Sequence, residues 1–225
     1  MLRSMISAER RRTLSPVTLT VVLVVLTTLA GCGPVKVVVD GNFPPPLITP
    51  LPVTLGLWYG DDFSKHEFFD EAKGRKESSW IVTTGAAQVE MWDSLLAGMF
   101  TKVVHLKNKP GPDQNLTAVD AVLIPHVEEL QYTIPAHTSI KVYEIWMRYS
   151  FELVTPKGEP IAQWTMTSYG KTPTAFLQSD QEAVNLAAVM ALRDAGANFA
   201  DHFTDVPGIR EWLQAKGVVS ERATR

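Results

Sequence analysis

Residues 140–153 read Ile-Lys-Val-Tyr-Glu-Ile-Trp-Met-Arg-Tyr-Ser-Phe-Glu-Leu, and this stretch decides the fold. Tyr143, Ile145, Met147, Tyr149, Phe151 and Leu153 recur at every second position, while Glu144, Arg148, Ser150 and Glu152 occupy the positions between. A period of two is the signature of a strand, because successive side chains point to opposite faces of the pleat. The run therefore predicts a strand with one buried and one wet face, as antiparallel sheets have. Thr155-Pro156-Lys157-Gly158 supplies a proline and a glycine for a tight turn, and Ile161 to Tyr169 runs back. On the other side, Ala121 to Ile134 predicts a preceding strand bent at Pro125 and turned by Ile134-Pro135-Ala136-His137. Three strands in a meander follow.

Outward from the meander the period changes. Ser179-Asp180-Gln181-Glu182 is a capping box, in which the serine oxygen accepts from the backbone three residues on and the glutamate reaches back. It opens a helix to about Phe203 whose Ala183, Ala187, Ala188, Ala191, Ala195 and Ala197 let it lie close on a sheet. Gly85 to Phe100, with Thr84 as its N-cap, carries Val89, Trp92, Leu95, Leu96 and Met99 at helical spacing. Asp205 and Pro207 begin a short last helix in which Ile209, Trp212 and Leu213 dock, stopped by Gly217. Val53–Tyr59, Trp80–Thr83 and Lys102–Leu106 are the remaining strands, and the strand-helix-strand order over 80–106 suits a parallel crossover. The fold class is α/β (α+β): a two-layer sandwich with a mixed sheet of about five strands and two long helices on one face.

Four regions are expected. Residues 1–31 form a leader, 32–52 a proline-rich tether, 53–217 a single α/β domain and 218–225 a frayed tail. Pro34, Pro44, Pro45, Pro46, Pro50 and Pro52 fix φ and remove amide donors, which favours an extended spacer that lifts the domain off its anchor. The alternative, an edge strand over Val35–Val39, stays open.

The leader has a basic stretch ending in Arg10-Arg11-Arg12, a 13-residue apolar run from Val17 to Leu29, then Leu29-Ala30-Gly31-Cys32. This is the architecture of a signal peptide, and the run is shorter than the ~20 residues of a spanning helix. Leu29, Ala30, Gly31 and Cys32 resemble the lipobox of bacterial lipoproteins. The resemblance implies that the thiol of Cys32 takes a diacylglycerol and that the bond before it is cut, with Leu29, Ala30 and Gly31 as the peptidase recognition residues. Two or three acyl chains hold a protein on a membrane where one does not. Gly33 in place of aspartate after the cysteine implies the periplasmic face of the outer membrane.

One cysteine excludes an intramolecular disulfide and a Cys-x-x-Cys metal or redox site. The four leader arginines face only Glu9, so the rest of the chain is more acidic than the formal net charge of −3; with no basic stripe, nucleic-acid binding is excluded. The five histidines, 66, 105, 126, 137 and 202, have no second ligand at metal spacing. Ser168 lacks a Gly-x-Ser-x-Gly elbow, and the pairs Asp61-Asp62 and Glu128-Glu129 read as solvated charges. No catalytic residue, metal site or cofactor is expected. Trp58, Trp146 and Trp164 lie on strands and read as core or half-buried side chains rather than as a ligand platform. Phe63, Phe68 and Phe69 sit in a charged stretch, where apolar rings are hard to place in a core, and are the candidate partner contacts.

The segments TLGLWYG (54–60), AAQVEMWDSLLAGMFTKVVHL (86–106) and AVLIPHVEELQYTIP (121–135), followed by the long strand, resemble the small periplasmic α/β lipoproteins. These include the curli-secretion lipoprotein, the activators of penicillin-binding proteins and the auxiliary lipoproteins of lipid transport. The resemblance covers about residues 53–204 and lies in element order. It implies a non-enzymatic accessory, assembly or regulatory partner of an envelope complex, contacting membrane through lipid and other envelope proteins directly. The alternative it implies is an auxiliary subunit for lipid or another apolar ligand, with a cavity lined by Tyr143, Met147 and Phe151.

Overall fold

The computed structural model describes residues 33–70, 79–112, 116–135, 139, 142–173 and 179–218. The predicted long strand is β7, Val142–Val154, on which all six predicted core residues are 5% exposed or less. The elements before it are β1 (Val35–Val38), β2 (Leu51–Leu57), a one-turn helix α1 (Asp61–Ser64), β3 (Glu67–Asp70), β4 (Trp80–Thr83), α2 (Gly85–Met99), β5 (Phe100–His105) and β6 (Ala121–Thr133). After it come β8 (Pro160–Pro173), α3 (Asp180–His202), a 3-10 turn over Phe203–Asp205 and α4 (Pro207–Ala215).

The main sheet has five strands in the order β5-β2-β6-β7-β8. β5 and β6 flank β2 in parallel, and β6, β7 and β8 form the antiparallel meander. Gly158 closes the β7–β8 turn at φ +86°, a conformation that costs glycine nothing. The irregularity in β6 is a bulge between Val127 and Glu129, not a bend at Pro125, which stays in register with Phe151. The carbonyl of Leu123 accepts from the amide of Trp58, just after β2, so Pro125, two residues on, turns its donorless nitrogen past the last β2 pair, Leu57↔Leu123. No ladder bond is lost there.

Both long helices cover the face that carries Tyr149 and Phe151. Trp92 of α2 meets the rings of Tyr149, Phe151 and Phe199 of α3 at 5.8, 5.2 and 4.9 Å, each edge to face. This geometry sets positive ring edges against negative faces. Ala183, Ala187, Ala188, Ala191 and Ala195 of α3 are buried as expected, whereas Ala197 is exposed; a Cβ on Gly170 of β8 would stand 1.9 Å from the carbonyl oxygen of Ala187. Ser179 accepts from the backbone amide of Glu182 at 3.2 Å, so the serine half of the predicted capping box forms. Ile209 and Leu213 of α4 are fully buried, and the described chain stays packed through Val218, one residue past the expected boundary.

Three corrections arise in the first half. β4 does not join β5 in one sheet; it lies between β1 and β3 in a second, three-stranded sheet, and β5 pairs with β2 instead. The 39–50 stretch is not a free spacer, and the packed domain begins at Val35 rather than at Val53. Val35, Val37 and Val39 alternate with polar or exposed positions; β1 pairs in parallel with β4, and Val37, Val39 and Phe43 are buried. The stretch from 61 to 79, expected as an exposed excursion with apolar contacts of its own, is regular over 61–70, where it forms α1 and β3.

Candidate functional site

The three candidate phenylalanines part company. Phe63 is 0% exposed: α1 turns it inward to stack on Tyr59 at 5.1 Å and 10°, with Tyr149 6.5 Å away. It is core: the single turn of α1 carries it back onto Tyr59, the residue before the N-cap Gly60, much as a hydrophobic staple does. Phe68 is half-buried, edge-on to Tyr132 at 5.8 Å. Only Phe69 of the three is exposed, at 55%. Leu29, Ala30, Gly31 and Cys32 lie outside the described residues. Tyr143, Met147 and Phe151, expected to line a cavity in the apolar-carrier reading, are buried among side chains of α2 and α3.

An apolar depression lies on the outer side of the helices. After β1 the chain runs over α3 and then α2 as a strap. Asn185 takes the backbone of Asp40 with its amide, donating to the carbonyl at 3.1 Å and accepting from the N–H at 2.9 Å. Arg193 donates to the carbonyl of Asn42 at 2.8 Å, and Ser94 of α2 donates to that of Phe43 at 2.7 Å. The strap roofs one side of a groove of about 470 Å³ whose lining includes Phe43, Pro46, Met91, Leu95, Gly196 and Ala200. Arg193 is the one charged side chain in the lining. Beyond it the strap presents Leu47, fully exposed, and Ile48, 44% exposed. Large apolar side chains in water beside an apolar groove mark a contact surface. None of this is legible locally, since the groove needs α2, α3 and the strap together.

Polar groups gather elsewhere. His126 of β6 places Nδ1 2.8 Å from an Asp62 oxygen and Nε2 3.4 Å from Glu152, the second an ion-pair distance without hydrogen-bond alignment. Ser150 faces His126 across the ladder, but its hydroxyl donates to Glu128, so no nucleophile-base pair forms there. Ser168 is buried under α3. His66 shares a hydrogen bond of 2.7 Å with Thr84, which also accepts from Gln88 at 2.9 Å. Burial lowers the His66 pKa, against the pull of nearby Asp62. Thr84 thus fills the N-cap position of α2 without bonding the helix backbone through its side chain. Trp146 is 48% exposed on the wet face of β7, half-buried as one of the two expected alternatives, and lies 4.3 Å from the ring of Tyr169. Tyr169 donates to Glu144 at 2.6 Å; burial and this carboxylate push its pKa up to about 12. Among the described residues, no three His, Cys, Asp or Glu side chains are placed to hold a metal ion.

Comparison of the sequence with protein-family models and with curated proteins finds no match. Among solved structures, the chain is similar to a Xanthomonas campestris protein of the family model DUF330. That likeness has TM-score 0.50 and 12% identity over 80% of this chain and 98% of the other, and it shows a shared fold. Two further structures of similar outline are described as lipoproteins. The minor lipoprotein of Acinetobacter baumannii has TM-score 0.39 and 10% identity, covering 70% of this chain and 94% of the other. A Neisseria meningitidis lipoprotein has TM-score 0.31 and 11% identity, covering 76% and 99%.

Proposed function

We propose that this protein is a bacterial envelope lipoprotein, anchored through Cys32 on the periplasmic face of the outer membrane, that works as a non-enzymatic partner of an envelope complex. The observation that supports partner binding is the strap and groove: an apolar trough between two helices, continued by exposed Leu47 and Ile48. The groove also gives the second reading its support, since a trough of about 470 Å³ lined by Phe43, Met91 and Leu95 suits a lipid or another apolar ligand.

A photo-crosslinking residue at Leu47 in the full-length protein, expressed in its own envelope, tests both. A discrete protein adduct, absent from the same residue placed at Arg148 and lost in Cys32→Ala, is the expected result. Non-covalent lipid recovered in stoichiometric amount, with no protein adduct, would replace the first reading by the second.

A further inference from the structure

The outer face of the three-stranded sheet carries two cross-strand rows. Lys36, Ile81 and Phe69 stand side by side in one, Val38, Thr83 and Glu67 in the other. The inner face, with Val37, Trp80 and Val82, is committed to the core, and Phe68 packs against it. The outer face is wet: Lys36 is exposed, Phe69 is 55% and Val38 60% exposed, and Ile81 is partly covered. β1 opens this sheet at Val35, three residues after Cys32.

We infer that this face, led by the row Lys36, Ile81 and Phe69, rests on the lipid surface to which Cys32 is tied. The inference rests on the lipoprotein reading and adds the side on which the domain lies. Three residues reach about 10 Å at full extension, so an acylated Cys32 brings the start of β1 to the headgroup layer and leaves no spacer to lift it. The row nearest the anchor has the chemistry of that layer. A phenyl ring and a branched aliphatic chain enter the acyl boundary, and a lysine buries its stem while its ammonium meets anionic headgroups. The carboxylate near Lys36 is Glu67, 4.0 Å away and also bonded by Thr83; it stands in the row farther from the anchor. Acyl chains and a contact of this kind are the two signals that stable membrane attachment requires.

The test uses the full chain, processed in bacteria and reconstituted into phosphatidylethanolamine and phosphatidylglycerol vesicles. Once Cys32 is acylated, an added Phe69→Cys is the sole thiol and takes an environment-sensitive fluorophore; Lys157→Cys, at the far end of the β7–β8 hairpin, is the control. The mass of the mature protein reports acylation separately. With Cys32 acylated, spin-labelled lipid should quench position 69 several-fold more than position 157. Equal quenching in the acylated protein overturns the membrane face and leaves the anchor standing. Shielding of position 69 by a crosslinked second copy, without lipid quenching, also overturns it. A mass without acyl chains removes both the anchor and the inference.

Discussion

Asn185 holds the backbone of Asp40 by its donor and its acceptor at once, with its side-chain amide taking the place a neighbouring strand would occupy. The two residues are 145 apart in sequence, and the pair fixes where the strap crosses α3. Each bond contributes about 1 kcal/mol net. Asn185→Leu should therefore cost about 1–2 kcal/mol and release the strap before the rest of the domain unfolds. Hydrogen exchange checks this: amides of 39–43 should lose protection while those of β7 keep theirs.

Phe63 and Phe69 should behave oppositely. Phe63→Ala empties a fully buried site between Tyr59 and Tyr149 and should cost about 3–5 kcal/mol in urea unfolding. Phe69→Ala removes an exposed ring and should stay within about 0.5 kcal/mol.

Gly170→Ala would place its methyl group 1.9 Å from the carbonyl oxygen of Ala187, far inside van der Waals contact. Backbone on both sides leaves little to give way. The expected loss is about 1–3 kcal/mol, with α3 displaced from β8, read by thermal unfolding and by methyl shifts of the α3 alanines.

Stability should fall with acid through His66. Burial holds its folded pKa below the ordinary histidine value of about 6.5, so the unfolded chain binds the proton more readily. The contribution is complete above pH 6.5 and is lost as pH drops toward the folded pKa. Asp62, whose charge raises the pKa, works against the dominant burial and limits the size of the effect. A His66→Gln variant should show a flatter stability profile between pH 7 and 5 than the parent.

The legible parts were those whose information is local. The alternation from Tyr143 to Leu153 identified a long strand of the main sheet and its buried face, and Ser179 announced α3 through a cap that the structure forms. The small sheet was not legible because β1 and β4 pair in parallel across a long separation, and four-residue strands carry no register of their own. Proline content predicted a spacer because a fixed φ says nothing about packing; the signals pointing the other way were the alternation of Val35, Val37 and Val39 and the presence of Phe43. For Phe63, charged neighbours concealed a single helical turn that only its spacing from Tyr59 could have disclosed.

The strap also constrains the order in which the molecule can be completed. A chain that emerges from its N-terminus first exposes Asp40, Asn42 and Phe43 long before Asn185 and Arg193 of α3 exist to receive them. Contacts of such sequence separation are slow to form, because the entropy of closing the intervening chain is spent before they reward it. Phe43 and the valines of β1 therefore stay open to other hydrophobic surfaces until the last quarter of the chain has arrived, so escort by a holding chaperone matters most for the residues made first.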